Sequence, residues 1–364
     1  MKKLLTTAIL AGASALYAQQ ASAAEGTFAI VSWGGAYEMS QQRAYVEPWV
    51  KQNPGLNVIF ENKGQTALAG LRAQVQANNV VWDLVDMLPS EAMIACDEGL
   101  VEAIDADAIL AAAPDGTPAS KDFIAGSLGE CFIPQIVYST IVAFNSEMFP
   151  ADKQPKSMAD VFDLENFPGK RSLQRKPINN LEWALIADGV PADKVYEVLS
   201  TPEGVDQAFA KLATIKDQVI WWEEGAQPPQ LLADKEVAFG SAYNGRIFNA
   251  QVNEKQPFQI IWDGQVFELD GWVVPKGKLD VAKDFLHFAT DTQRLADQAK
   301  YISYGPARTS SAALVSTHAD TGIDMKPHMP TYDPNFQNAI AKDDLFWADH
   351  LDELTERFNA WLAN

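Results

Sequence analysis

Phe132-Ile-Pro-Gln-Ile-Val-Tyr-Ser-Thr-Ile-Val-Ala-Phe-Asn145 is the run that decides the fold. β-Branched and aromatic side chains dominate it, and these fit a pleated, half-buried surface. Its 14 residues exceed the usual strand of about five or six. A strand of that length can leave one lobe and enter another. The run from Val237 to Tyr243 is also strand-like and is read as the return crossing.

The flanking segments supply material for both lobes. Thr27 to Trp33 is β-rich and ends in Gly34-Gly35; Leu56 to Phe60 and Asp83 to Met87 are further strands. Between them lie a helix carrying Met39, Val46, Trp49 and Val50, with Pro48 expected to kink it, and a helix from Gln65 to Ala77. Pro89 opens the next helix. Successive strand–helix units imply a parallel α/β sheet. Ser157 with Asp160, and Thr201 with Pro202, mark later helix starts. Gly271 to Pro275 reads as a short strand, and Asp280 and Asp291 as caps of two helices. Trp347, Leu351, Leu354, Phe358 and Trp361 form the apolar stripe of a C-terminal helix. The expected division is a leader at 1–23, one lobe from 24–141 plus 245–305, and another from 142–244 plus 306–364.

The leader is read from Lys2-Lys3, the apolar stretch Leu4 to Tyr17 and Ala21-Ser22-Ala23, an A-x-A cleavage pattern. Cleavage after Ala23 predicts export, and the style of the signal predicts the periplasm. The formal charge of the whole chain is −20, and losing two lysines makes it more negative. That balance disfavours nucleic acid and anionic membrane surfaces as partners. In an oxidising compartment Cys96 and Cys131 are expected to pair; closing a loop of that size stabilises by about 3–4 kcal/mol.

Catalytic signatures are missing: no GxSxG, HExxH, P-loop or GxGxxG occurs, and the four histidines (His287, His318, His328, His350) show no metal or catalytic spacing. The sequence therefore predicts no enzyme, no cofactor and no metal. An exported hydrolase or lyase with a scattered carboxylate or tyrosine constellation stands as the competing class.

Six segments, in this order, carry a family resemblance: Val31-Ser32-Trp33-Gly34-Gly35-Ala36-Tyr37, Trp82-Asp83-Leu84-Val85 with Pro89-Ser90, Phe167-Pro168-Gly169-Lys170, Glu236-Val237-Ala238-Phe239-Gly240, Tyr243-Asn244-Gly245-Arg246, and Leu269-Asp270-Gly271-Trp272-Val273-Val274-Pro275. Together they resemble the periplasmic solute-binding proteins of ABC importers, in the spermidine/putrescine-binding group. The resemblance implies a type II periplasmic-binding-protein fold, two α/β lobes joined by crossing hinge strands. It also implies a small-molecule ligand in the cleft, a permease in the inner membrane as partner, and a monomer.

The family's pocket positions map onto Trp33, with Tyr37 close by, and onto Ser90, Tyr243 and Asp270. Trp222 and Gln227 belong to a segment read as a cleft-edge loop, and Tyr304 to a stretch read as cleft rim. Each has a plain alternative: Trp33 as core, Ser90 as a helix cap, Asp270 as a turn residue, Arg246 as half of a hinge ion pair. The departures set the ligand expectation. Arg246 stands where the resemblance implies an acid after the hinge glycine, and Arg175-Lys176-Pro177-Ile178-Asn179-Asn180 replaces an acidic stretch. Asp270 retained with Arg246 gained suits a zwitterion, the guanidinium taking a carboxylate and Asp270 an ammonium. Gly34-Gly35 at a helix start could add N–H donors. The expected ligand is an amino-acid-like compound such as 4-aminobutyrate; a polyamine is the alternative. A ferric-ion site would have only Tyr301 and Tyr304 as a nearby tyrosine pair.

Overall fold

The computed structural model describes residues 26–363. The expected leader and its cleavage after Ala23 lie outside the described residues. Among the described residues ten strands form one hydrogen-bonded sheet: β1 (Gly26–Ser32), β2 (Leu56–Asn62), β3 (Leu84–Met87), β4 (Ile133–Asn145), β5 (Arg171–Gln174), β6 (Val219–Trp222), β7 (Phe239–Tyr243), β8 (Phe258–Val273), β9 (Gly305–Pro306) and β10 (Ile340–Ala341). Their order is β2-β1-β3-β8-β4-β7-β5-β6, with β9 on β4 and β10 on β8.

The long run quoted at the outset is β4, 13 residues long. Its first part pairs antiparallel with the end of β8, from Ile133↔Trp272 to Thr140↔Val266, and its second part pairs with the start of β8, from Val142↔Ile261 to Asn145↔Phe258. Between these parts β4 advances two residues while β8 advances five. Residues 262–265, four against the single Ile141 on β4, bulge out of the ladder at Gly264, whose φ of +68° is the left-handed conformation that glycine adopts without strain.

On one side of the bulge β3, β1 and β2 extend the sheet; on the other, β7, β5 and β6 do. The first side packs Phe28, Ile30, Leu84, Trp272 and Phe285, and the second packs Phe144, Leu173, Trp183, Phe209 and Phe239. These are the two lobes of a mixed α/β architecture, and β4 and β8 cross between them.

Several elements differ from expectation. The return crossing is β8, of 16 residues, rather than Val237–Tyr243; that segment is β7, which pairs with the second half of β4. Asp263, Gly264, Glu268 and Asp270 interrupt the apolar pattern of β8, so only its last residues read as a strand. The helix Asn244–Val252 and the start of β8, grouped with the first lobe in the sequence-based division, pack Ile247, Ala250 and Phe258 against Ile141, Ala143, Leu232 and Ala242. Pro48, expected to kink its helix, lies inside one continuous helical run made of Gly35–Gln41, the five-residue π-helical stretch Gln42–Val46 and Glu47–Gln52; the wider π turn stands just ahead of the proline, whose N–H the ladder lacks. Met39 faces solvent at 61% exposure. Asp280 does not cap; it lies in the first turn of Leu279–Ala289, whose N-cap is Lys278. Leu351 is largely exposed, so the C-terminal helix Asp344–Ala363 buries Phe346, Trp347, Leu354 and Phe358.

Other signals hold. Ser157 and Asp160 form a reciprocal capping box, Thr201 accepts from Gly204 N–H, and Asp291 accepts from Gln293 N–H. Cys96 and Cys131 are disulfide-bonded, their Cα atoms 5.8 Å apart. The bond ties the helix Pro89–Asp97 to the residues just before β4. No helix among the described residues is long and apolar enough to cross a membrane.

Candidate functional site

In open α/β sheets the C-terminal ends of parallel strands are where loops leave and ligands bind. Both lobes supply such ends here. Trp33 follows β1, Pro89-Ser90-Glu91 follows β3, and Gln174, Trp222 and Tyr243 end β5, β6 and β7. Tyr138 on β4 and Asp270 on β8 sit where the strands cross.

Aromatic rings join these positions. Tyr37, Ile136, Ile302 and Tyr304 form one buried cluster, with Trp33 and Tyr138 packed against it. Ring centroids run Tyr37 to Tyr304 at 6.0 Å, Tyr304 to Tyr138 at 6.0 Å, Tyr138 to Tyr243 at 5.9 Å and Tyr243 to Trp222 at 6.4 Å. The Tyr37 hydroxyl donates to Gln135 Oε1 at 2.7 Å. That oxygen also accepts from Gln298 Nε2 at 3.0 Å, so a polar network beneath the rings fixes Tyr37.

One end of the cluster is acidic. Asp270 is 5% exposed, and its Oδ1 has no hydrogen-bond partner. Burial pushes its pKa well above the usual carboxylate range; neighbouring Asp86 and Glu91 add to the rise, while the Gly271 N–H and the Trp33 indole oppose it. The indole comes near enough to act on the carboxyl, yet its Nε1–H completes no hydrogen bond. Asp86 is fully buried and accepts from Gln41 Nε2 at 2.9 and 3.1 Å; burial pushes its pKa to about 8. No cation pairs with Asp270 or Asp86 among the described residues.

The other end is cationic. Arg246 lies in the first turn of Asn244–Val252, where the helix dipole is positive. It is exposed, its Cζ is 6.0 Å from the centroid of the Tyr243 ring, and it has no ion-pair partner among the described residues. Gly245 beside it is dictated by packing: a Cβ there would fall 2.6 Å from the Tyr304 ring. Tyr304 feels both ends. Burial raises its pKa most, Arg246 opposes, and Tyr243 and Asp270 add to the rise.

The structure therefore brings Trp33, Tyr37, Tyr243, Arg246, Asp270 and Tyr304 together. Ser90 stands near them, half-buried in the first turn of Pro89–Asp97; the N-cap is Leu88, so Ser90 is not the cap. Trp222 is buried, its Nε1–H donating to Ser241 Oγ at 2.9 Å; only its ring reaches Tyr243. Gln227 is exposed and does not join the rings. Its Oε1 accepts from the N–H groups of Glu223 and Glu224 at 3.1 and 3.4 Å and closes that loop. A Cβ on Gly34 would fall 2.2 Å from Asn62 Nδ2, whereas one on Gly35, where the helix Gly35–Gln41 starts, would meet nothing within 4 Å. Tyr301 and Tyr304 do not converge: Arg43 covers Tyr301 at 4.2 Å, whereas Tyr304 packs on Tyr37 and Tyr138.

Tyr138, Asp86 and Glu91 escaped the sequence reading. A hydroxylated ring inside an apolar crossing strand was the signal for Tyr138, and an acid inside the buried strand β3 was the signal for Asp86. Glu91 had none, because an acid in the first turn of a helix is ordinary. A further charged group adjoins the rings: Lys342 Nζ holds Glu268 at 2.5 Å and Asp344 at 3.0 Å.

Comparison with known proteins places this geometry. The model of a family described as bacterial extracellular solute-binding protein matches residues 44–331. A gamma-aminobutyric acid-binding protein from Pseudomonas aeruginosa is 38% identical over 349 residues, 95% of this chain and 94% of that one. Among solved structures, the Atu4243-GABA receptor is 33% identical, with 93% of this chain and 98% of that one covered at a TM-score of 0.75. The binding protein MotA from A. tumefaciens, in complex with glucopine, is 31% identical over 93% of this chain and 100% of that one, also at 0.75. An ABC transporter substrate-binding protein from Bradyrhizobium japonicum is 28% identical over 93% and 99%, at 0.77.

Proposed function

This chain belongs to the bacterial extracellular solute-binding proteins, and from that premise we propose that it traps a small zwitterion, with 4-aminobutyrate as the favoured ligand, between its lobes and delivers it to an ABC importer. The observation that carries the reading is the pair of unpartnered charges at opposite ends of one aromatic cluster. Among the described residues Asp270 offers a buried carboxyl oxygen with no protein donor, and Arg246 offers a guanidinium with no ion-pair partner. Tyr304 lies within electrostatic reach of both. The ligand's ammonium goes to Asp270 and its carboxylate to Arg246 and the adjoining helix N-terminus. Trp33, Tyr37, Tyr138, Tyr243 and Tyr304 enclose the carbon chain. Trp222 backs the Tyr243 ring, and Ser90 stands at the edge of the acidic end.

The pairing discriminates. A diamine leaves Arg246 facing a second cation, a like-charge repulsion, and a simple fatty acid leaves the buried Asp270 carboxyl without a partner. The name of the Pseudomonas relative supports this ligand class. The protein acts by binding without turnover, as a periplasmic monomer released after Ala23, with an inner-membrane permease as its partner. Closure swings the lobes about β4 and β8 at the 262–265 bulge.

Thermal melting of ligand-stripped mature protein tests the reading. At about 100 times the dissociation constant, a ligand stabilises by about 2.7 kcal/mol. The expected result is a shift with 4-aminobutyrate and none with putrescine or spermidine. A shift with diamines alone overturns the carboxylate role of Arg246 in favour of a polyamine binder. Release of a product from 4-aminobutyrate would favour an exported hydrolase or lyase.

A further inference from the structure

The acidic end holds more acceptor capacity than one ammonium uses. Besides Asp270 Oδ1, Glu91 Oε2 is a buried carboxyl oxygen without a hydrogen-bond partner. The sheet register explains their proximity: Met87 pairs with Gly271 across β3 and β8, so the chain leaving β3 through Leu88, Pro89 and Ser90 passes Asp270. Glu91 then stands in the first turn of Pro89–Asp97 and is among the charges that act on Asp270. The cation acting on Glu91 is Lys342, which Glu268 and Asp344 already hold. Ser90 and Glu91 are both partly exposed, so this end reaches solvent.

An ammonium is a compact point charge with three donors. A guanidinium is a planar fork with five, able to address two carboxyls at once. We propose that the acidic end also accepts a guanidinium, so that ω-guanidino carboxylic acids are a second ligand class, with Asp270 and Glu91 sharing the head group and Glu91 the residue that selects for it. The inference rests on the orientation proposed above, with the carboxylate at Arg246.

Calorimetric titration of ligand-stripped protein with 4-guanidinobutyrate and, in parallel, 4-aminobutyrate tests it. The expected result for the native chain is binding of both, the guanidino acid within about tenfold of the amino acid. Glu91→Gln is expected to weaken 4-guanidinobutyrate by about tenfold or more, the loss of a charge-assisted hydrogen bond, and to change 4-aminobutyrate less than about threefold. Binding of 4-aminobutyrate without 4-guanidinobutyrate overturns this inference and leaves the zwitterion reading standing; binding of neither overturns both. Equal weakening of the two ligands in Glu91→Gln removes Glu91 as the selecting residue, and the native-chain comparison decides the ligand class without any variant.

Discussion

Replacing Asp270 by Asn should make the empty protein more stable while abolishing binding. Asp270 is 5% exposed, lacks a partner on Oδ1 and has Asp86 and Glu91 rather than a cation for neighbours. Its folded-state pKa is therefore raised, first by burial and then by Asp86. Such a group binds more protons folded than unfolded, so stability falls as pH rises from the unfolded value of about 3.9 toward the folded one. At pH 7 the ceiling on that loss is about 4 kcal/mol, the work of neutralising an ordinary carboxyl at that pH. Asn removes the titration but keeps a buried amide costing about 1–2 kcal/mol when imperfectly bonded. A net gain of about 1–3 kcal/mol follows, or an unliganded melting temperature higher by about 2–8 °C. The same variant lacks the anion that holds the ammonium, so the shift induced by 4-aminobutyrate should vanish. The assay is paired melting curves at pH 7, with and without ligand. A variant that melts lower than the native chain and still binds would refute the reasoning at both steps.

Arg246→Met should leave folding within about 0.5 kcal/mol, since the side chain is exposed and holds no protein acid. Titration should show 4-aminobutyrate binding weakened by about tenfold to a hundredfold; a change under about threefold would argue against a carboxylate at that position. Docking an ammonium favours ionised Asp270, whose pKa burial raises, so binding should release protons and tighten as pH rises toward that raised value. Calorimetry in two buffers of different ionisation enthalpy reads the sign, and proton uptake would contradict it. Replacing Cys96 and Cys131 by Ser should cost about 3–4 kcal/mol in chemical denaturation through the opened loop, with ligand affinity retained because the bond lies outside the ring cluster; an unchanged midpoint would count against the loop-entropy estimate.

Local chemistry made much of this legible. β4 announced itself by composition, and the caps at Ser157, Thr201 and Asp291 were written in side chains that bond their own backbone. What failed had non-local causes. β8 hides because each lobe buries a different part of it and Gly264 breaks its pattern at the crossing. Arg246, Asp270 and Tyr304 could be picked out one by one, but the polarity between them appears only when β7, β8 and the segment before β9 meet. Gln227 shows the converse: a polar residue after two tryptophans looks like a ligand contact until its oxygen is found on two backbone amides. Glu91 was invisible because its importance comes from the Met87–Gly271 register, not from its neighbours in sequence.

The most direct measurement is the structure of the ligand-stripped protein after reloading with 4-aminobutyrate. The proposed mechanism predicts the ligand amine on Asp270 and the carboxylate on Arg246, each at the about 2.7–2.9 Å of a charge-assisted hydrogen bond, with Tyr304 against the carbon chain. A ligand bound in the opposite orientation, or seated away from both residues, would contradict it.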